Sequence, residues 1–185
     1  MNNVAVIGHD GKLGSQLMKY PGTVAVPWMF ENDQQVIAKW FDENPDIDTV
    51  WHVARTCRKK GARRDHQTFL NEQIGMNNLL STRARNCRFI YASSKIVYGI
   101  SGYNCCPTEC NHDYNIMTVE QVAEYFLDQQ KGVFNCPNWQ PTINIDISRL
   151  DHQRTIYALT KLGNEQLVQK YCSNFKIIRI WDIAQ

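Results

Sequence analysis

The first fourteen residues place three evenly spaced glycines between a short apolar run and the beginning of a helical pattern. Residues 4–7 are apolar and largely β-branched, which predicts a buried parallel strand. The strand pattern breaks at Gly8-His9-Asp10-Gly11-Lys12-Leu13-Gly14, and a helix with apolar Leu13 and Leu17 follows. A strand, a glycine turn and a helix in this order predict the opening unit of an α/β domain.

The rest of the chain continues to alternate strands with helices. Strands are predicted over 23–26, 48–54, 88–92 and 175–181, and helices over 33–41, 69–85, 118–131 and 157–171. This alternation favours right-handed crossovers, and therefore a Rossmann-type, doubly wound parallel sheet with helices on both faces. At 185 residues we expect a single domain, in which 100–155, rich in Cys, Asn and Pro, forms an inserted small lobe.

The glycine loop contains the residues that a dinucleotide pyrophosphate requires. Gly8 permits a tight turn, Gly11 lets backbone N–H groups approach a phosphate, and Gly14 lets helix and strand pack closely. An acidic residue about 20 positions further on would hold the ribose of NAD, but that region reads Pro27-Trp28-Met29. The loop therefore predicts NADP or NAD as cofactor; the alternative is an ordinary glycine turn with Lys12 on the surface.

A serine, a tyrosine and a lysine form a second candidate site. Tyr157 and Lys161 are four residues apart and so share one face of a helix. An ammonium near a phenol favours the phenolate, which can exchange a proton with a substrate oxygen while a cofactor exchanges hydride. Ser94 follows a predicted strand, at the edge where open α/β sheets bind ligands. Tyrosine and lysine at this spacing are common on protein surfaces, but the glycine loop favours a redox site.

Four segments resemble the extended short-chain dehydrogenase/reductase superfamily of nucleotide-sugar enzymes, the NAD-dependent epimerases and dehydratases. They occur in the family's order and read VAVIGHDGKLGSQL (4–17), PDIDTVWHVA (45–54), GMNNLLSTRARNCRFIYASSKIVYG (75–99) and YALTKLGNEQLVQKYCSNFKIIRI (157–180). The glycine loop and the short second strand–helix unit are similar to the dTDP-4-dehydrorhamnose reductase branch. The SSKIVYG string is equally typical of sugar-nucleotide epimerases.

The resemblance implies a role for each matching residue. Ser94, Tyr157 and Lys161 would be catalytic, with Tyr157 as the acid/base and Ser94 also touching the nucleotide-sugar. The residues expected to contact the cofactor are Gly8, Gly11, Lys12, Leu13, Gly14, His52, Ala54, Ala92, Tyr157 and Lys161. Trp181 would lie beside the nicotinamide. From its apolar strand alone, His52 is more typical of a packed histidine than of a ligand contact.

Several positions depart from the family pattern. Lys95 and Ile96 stand where the dehydratase branch has an acidic pair, which argues against sugar dehydration, and Glu72 stands where the family has asparagine. Family members continue into a C-terminal lobe that grips the nucleotide-sugar, and we expect this chain to lack it. Two functions therefore remain open: a compact reductase or epimerase, or a catalytically inactive NAD(P)-binding regulatory or interaction subunit on the same fold.

A basic segment stands out in a chain whose net charge is only +2. Residues 55–64 include six arginines and lysines directly after a predicted strand. Arg58 and Arg63 could therefore hold a diphosphate or a 2′-phosphate, or the segment could be a solvated surface. Nothing favours a nucleic-acid partner, since the segment has no aromatic platform beside it.

The remaining expectations concern partners and compartment. The resemblance implies a homodimer through helices 69–85 and 157–171, with Leu162, Leu167 and Val168 as apolar surface unless they cover the sheet; Glu165 would face solvent or a helix partner. The N-terminus has no signal-peptide pattern, and no apolar run is long enough to span a membrane. The chain has seven cysteines, an odd number, and no signal-peptide pattern. Both observations favour reduced thiols in a cytoplasmic protein, without a metal site. A zinc site could be assembled only with unfamiliar spacing, from Cys105, Cys106, Cys110, His112 and Cys136.

Overall fold

A computed structural model describes residues 3–54, 66–94, 97, 120, 123–124 and 152–180. The strands of this part are β1 (Asn3–Ile7), β2 (Thr23–Ala25), β3 (Ile47–His52), β4 (Arg88–Ser94) and β5 (Phe175–Ile180). The helices are α1 (Lys12–Leu17), α2 (Gln34–Glu43), α3 (His66–Leu80) and α4 (His152–Tyr171), with a 3-10 turn at Arg83–Asn86. The predicted lobe at 100–155 and the predicted helix at 118–131 lie almost entirely outside the described residues.

The strands form one parallel sheet in the order β2-β1-β3-β4-β5. The chain begins in the middle of the sheet, runs outward to β2, and then returns to build β3, β4 and β5 on the other side of β1. The strand order thus reverses between β1 and β3. The crevice beyond the carboxyl ends of these two strands is where open α/β sheets bind their ligands. The predicted Rossmann-type parallel sheet is confirmed.

Hydrophobic residues fill both faces of the sheet, because side chains alternate along each strand. On one face Ile7, Phe89 and Tyr91 pack with α2, α3 and α4. On the other face Val6, Ile90 and Ala92 pack with α1. No helix within the described ranges is long and apolar enough to cross a membrane.

Two helix boundaries differ from the prediction by five residues each. The helix expected over 69–85 ends at Leu80, because Thr82 intervenes: its hydroxyl donates to the Leu79 carbonyl at 2.7 Å and accepts from the Ala84 N–H at 3.3 Å, starting a separate 3-10 turn. The last helix begins at His152, five residues before the predicted start at 157. Tyr157 therefore lies inside a long helix rather than at its frayed first turn.

His52 is buried at the carboxyl end of β3, among aromatic rings. Its ring centroid lies 5.5 Å from those of Phe30 and Tyr91 and 6.3 Å from that of Phe89. Burial, and then the nearby charge of Lys161, lower the pKa of His52 to about 3. The imidazole is therefore neutral, and the side chain belongs to the core while its backbone remains at the strand end.

We expect this buried histidine to make the fold acid-sensitive. Unfolded, His52 would titrate near its usual pKa of 6.5, so between pH 6.5 and about 3 the unfolded chain binds a proton that the folded chain excludes. Stability should therefore fall as pH drops through this window, with His52 contributing about 2 kcal/mol of the loss between pH 7 and pH 5.

Urea unfolding of the wild type and of His52→Leu at both pH values measures this contribution. The loss of folding stability between pH 7 and pH 5 should be about 2 kcal/mol smaller in His52→Leu than in the wild type, whatever the absolute stability of the variant. An equal loss in both proteins would show that His52 is not held neutral in the fold.

Candidate functional site at the carboxyl edge of the sheet

The glycine loop forms a tight cradle between β1 and α1. Gly8 has a φ of +89°, and a Cβ built on it would lie 2.6 Å from the Cα of Ala54. A Cβ on Gly14 would lie 2.7 Å from the Cα of His9 and would overlap the Gly8 carbonyl. Both positions therefore require glycine, one for its conformation and both for the close approach of backbone to backbone.

Neighbouring strands hold this cradle in place. The Val53 N–H donates to the Ile7 carbonyl at 3.0 Å, which brings Ala54 against Gly8. His9 Nδ1 lies 3.1 Å from the Val26 carbonyl, so this nitrogen carries the ring proton and donates a hydrogen bond that ties the loop to the residue after β2. Gly8, Gly14 and Ala54 thus form one packed unit at the point where the strand order reverses.

The other predicted loop residues lie at the start of α1. Gly11 is the N-terminal cap of the helix and has ordinary extended backbone angles. A Cβ on Gly11 would meet its nearest neighbour at 3.4 Å, so this glycine is not required by sterics in the protein alone. Lys12 is exposed at the first helical position, whereas Leu13 is buried in the core beneath the loop. The first backbone N–H groups of a helix lack intrahelical acceptors, which makes this turn a suitable neighbour for an anion.

Lys161 is the most constrained member of the predicted catalytic group. It is 3% exposed, and its Nζ donates to the Ala92 carbonyl on β4 at 2.8 Å. The same nitrogen lies 6.0 Å from the ring centroid of Tyr157, one helical turn earlier on α4. The structure thus brings Lys161, Tyr157 and Ala92 together at the carboxyl end of β4.

The surroundings of Lys161 keep it charged. Burial works against the ammonium and by itself lowers the pKa, but the facing Tyr91, Tyr157 and Glu72 outweigh it and raise the pKa of Lys161 above its ordinary value. Ser94 ends β4 two residues after Ala92, opposite Ile180 in the register of β5. The carbonyl that holds the buried Lys161 ammonium and the hydroxyl residue that ends the strand are therefore two residues apart along β4.

A buried ion pair lies beside this group, and the sequence did not predict it. Glu165 was expected to face solvent or a helix partner, but it is buried: Arg179 Nε donates to Oε1 at 2.9 Å and Nη2 donates to Oε2 at 2.6 Å. The Ser93 hydroxyl donates to Oε1 of the same carboxylate. Tyr157, Lys161 and Glu165 are four residues apart in succession, so the helix face that presents the first two to the sheet also buries the third.

This ion pair fastens α4 to the last two strands. Ser93 is on β4, Glu165 is on α4 and Arg179 is on β5, so one carboxylate connects all three elements. The four-residue spacing from Lys161 could have placed Glu165 on the same buried face of the helix. The spacing could not reveal Arg179, the counter-charge that the following strand supplies.

Some of the other predicted residues lie in the described part of the chain, and the rest lie outside it. Val168 is fully buried and Leu167 packs on the same core, so both cover the sheet; Leu162 is half-buried. The exposed apolar side chains of these two helices are instead Ile74 on α3 and Leu159 on α4. The residues outside the described part are Arg58, Arg63, Lys95, Ile96, Trp181 and the five cysteine and histidine residues considered for zinc.

Neither a metal cluster nor a reactive thiol is found in the described part of the chain. Across these ranges no three His, Cys, Asp or Glu side chains are grouped to hold a metal ion. Cys87 and Cys172 are buried free cysteines. Burial raises the pKa of both thiols, that of Cys172 to about 11, so they remain protonated and serve as apolar packing.

The Glu165–Arg179 pair should contribute strongly to stability. Glu165→Gln leaves the Arg179 guanidinium buried without its counter-charge, which typically costs about 3 kcal/mol or more. The matched control is Glu43→Gln, which breaks the 3.7 Å pair with Lys39 on the exposed face of α2. Exposed pairs contribute little, so we expect this control to change stability by no more than about 0.5 kcal/mol.

Urea unfolding of both variants separates the two effects. Removing both charges together, in Glu165→Leu with Arg179→Met, should recover part of the loss because no unpaired charge remains. If Glu165→Gln were as stable as Glu43→Gln, the buried ion pair would not hold α4 on the sheet.

Comparison with known proteins identifies the family. A model of the NAD dependent epimerase/dehydratase family matches residues 31–181, that is, most of the chain. Because the match begins after Gly14, it does not depend on the glycine loop, and the loop is a separate observation. A comparison with curated protein sequences finds no match.

Several solved structures share the fold. dTDP-4-dehydrorhamnose reductase from Bacillus anthracis str. Ames, in complex with NADP, is 16% identical with a TM-score of 0.58, covering 98% of this chain and 54% of that chain. A GDP-D-glycero-L-gluco-heptose synthase from Campylobacter jejuni, in the presence of NADPH, is 15% identical with a TM-score of 0.61, covering 97% and 47%. The Bordetella bronchiseptica enzyme WbmH, in complex with NAD+, is 16% identical with a TM-score of 0.56, covering 97% and 56%.

The chain spans about half the length of these solved structures. At this level of identity they are evidence for the fold, which agrees with the parallel sheet and with the strand order around β1. The family model adds the sequence evidence, over a region that includes α3, β4, α4 and β5. The match to the family model shows that the chain belongs to the NAD dependent epimerase/dehydratase family.

Proposed function

We propose that the protein is an NAD(P)-dependent oxidoreductase or epimerase that acts on a nucleotide-sugar, with Tyr157 as the acid/base. The observation that carries this proposal is the position of Lys161. Its buried ammonium is held on the Ala92 carbonyl, 6.0 Å from the Tyr157 ring centroid. Family membership and the glycine cradle at the same edge of the sheet support it.

The residues present fit a nicotinamide dinucleotide. At Gly8 and Gly14 a Cβ would collide with neighbouring backbone, so neither position of the turn can carry a side chain. We assign the pyrophosphate to this loop, with Gly11, Lys12 and Leu13 at the first turn of α1. We assign the nicotinamide ribose to Lys161, and the border of the site to Ala54, Ala92 and the backbone of His52.

The cofactor supplies or accepts hydride when it is bound. Tyr157 gives a proton to the substrate oxygen when a carbonyl is reduced, and removes it when a hydroxyl is oxidised. The positive charge of Lys161 stabilises the phenolate that Tyr157 becomes after giving up its proton. Ser94 donates a hydrogen bond to the same substrate oxygen, which holds that oxygen near the phenol.

Three further assignments belong to this proposal. The cofactor is NADP or NAD; solved structures of the same fold hold one or the other. Arg58 and Arg63, which follow β3 outside the described residues, hold a diphosphate or a 2′-phosphate.

The protein forms a homodimer through α3 and α4, where Ile74 is 45% and Leu159 is 42% exposed. A monomer in sedimentation velocity at micromolar concentration would contradict the homodimer.

Tyr157→Phe tests the assignment of the acid/base. Because the ring remains and only the hydroxyl is lost, we expect cofactor binding to persist while turnover falls by about 10²–10⁴-fold. The measurement follows the loss of reduced-nicotinamide absorbance with dTDP- and GDP-linked keto-sugars, which detects a reductase, and the appearance of the epimer by chromatography with dTDP- and GDP-linked sugars, which detects an epimerase. Tyr171→Phe is the matched control, since it removes a partly buried phenol from the far end of the same helix.

Equal turnover in the wild type and Tyr157→Phe would contradict the role of Tyr157. Binding of NADP or NAD by the wild type without turnover on any of these sugars would favour the alternative, an inactive NAD(P)-binding regulatory or interaction subunit.

A further inference from the structure

Lys161 faces a second phenol in addition to Tyr157. Its Nζ lies 4.8 Å from the ring centroid of Tyr91, closer than the 6.0 Å to that of Tyr157. Tyr91 is fully buried in the middle of β4, next to Ala92, whose carbonyl accepts from the same ammonium. The ammonium is therefore held from the strand side by a ring and a carbonyl of consecutive residues.

The Tyr91 hydroxyl is fixed by a chain of hydrogen bonds that begins on α3. Asn164 Nδ2 donates to the Tyr91 hydroxyl at 3.1 Å, and Asn164 Oδ1 accepts from Gln73 Nε2 at 2.7 Å. The Gln73 Nε2 group also donates to the Thr160 carbonyl on α4 at 3.1 Å. Asn164 is itself fully buried, so the phenol is locked between the strand and two helices.

Groups from every element around Lys161 act on its charge. Tyr91 faces it from β4, Tyr157 from its own helix, Glu72 from α3 and His52 from β3. Burial opposes the ammonium, and among the groups that raise the pKa of Lys161 Tyr91 contributes the most. Burial also raises the pKa of Tyr91 itself, so this phenol remains protonated with its ring facing the ammonium.

We propose that Tyr91 is a positioning residue that holds the Lys161 ammonium at the carboxyl end of β4, leaving Tyr157 free to exchange its proton with substrate. Tyr91 does not touch substrate or cofactor in this account; it acts through Lys161. The proposal rests on the proposed function for its catalytic consequence, whereas the contact itself is a property of the ligand-free protein.

Proton exchange at the Lys161 ammonium tests the contact without substrate or cofactor. Heteronuclear NMR of the isotope-labelled, ligand-free protein should show a slowly exchanging side-chain ammonium, assigned by its loss in Lys161→Met. In Tyr91→Phe the ring remains and the hydroxyl is lost, which should lower the pKa of Lys161. The ammonium should then lose its protons more readily, and its exchange should be several-fold faster than in the wild type.

Tyr20→Phe is the matched control, because it removes a partly buried phenol that packs on the opposite core, and its exchange rate should equal that of the wild type. Should Tyr91→Phe fail to fold, Asn164→Ala tests the same point, since it releases the Tyr91 hydroxyl without removing it and should also speed exchange. A purely structural role for Tyr91 would lower the melting temperature and leave Lys161 exchange unchanged, and that result overturns the proposal.

The pH profile of turnover provides the second readout. If turnover needs the Lys161 ammonium, a lower pKa moves the basic limb of the profile to lower pH in Tyr91→Phe and not in Tyr20→Phe. An unmoved limb together with unchanged exchange counts against the proposal. Faster exchange in a protein that shows no turnover supports the contact and contradicts the proposed function instead.

Discussion

One face of α4 carries the polar groups that organise the site, and they are bound to the sheet. Lys161 donates to the Ala92 carbonyl, and one turn later the carboxylate of Glu165 accepts from Ser93 and Arg179. Buried charges are tolerated only when they are paired and hydrogen-bonded. These contacts therefore fix both the height and the rotation of the helix, and Tyr157 is carried on the same face to the carboxyl end of β4.

The glycine cradle is built on different physics at the neighbouring strand ends. Gly8 takes a positive φ, and its backbone packs directly on Ala54 after β3. The requirement there is space, since a Cβ at Gly8 or Gly14 would collide with backbone. Because β1, β3 and β4 are parallel, the cradle after β1 lies at the same edge of the sheet as the carboxyl ends of β3 and β4. An extended ligand could reach from the loop to Lys161 along that edge.

Patterns of apolar residues predicted the strands and the parallel sheet, and residue spacing placed Tyr157 and Lys161 on one helix face. Spacing could not tell that Glu165 on this face would be buried, because its partner Arg179 comes from the next strand. It also gave Tyr91 only as an apolar strand residue, although the fold turns its ring toward Lys161. Thr82 ended a helix whose apolar pattern continued. Arg58, Arg63 and Trp181 lie outside the described residues, so their roles remain predictions.

Above all, we expect the glycine cradle to bind the pyrophosphate, and Lys161 the nicotinamide ribose, of one and the same dinucleotide. A crystal structure of the protein soaked with NADP or NAD tests this most directly. The account predicts a pyrophosphate over residues 8–14 and a nicotinamide ribose within hydrogen-bonding distance of Lys161 Nζ, with the nicotinamide ring beside Tyr157. A dinucleotide bound elsewhere, or a soaked crystal without one although binding in solution is measurable, would contradict it.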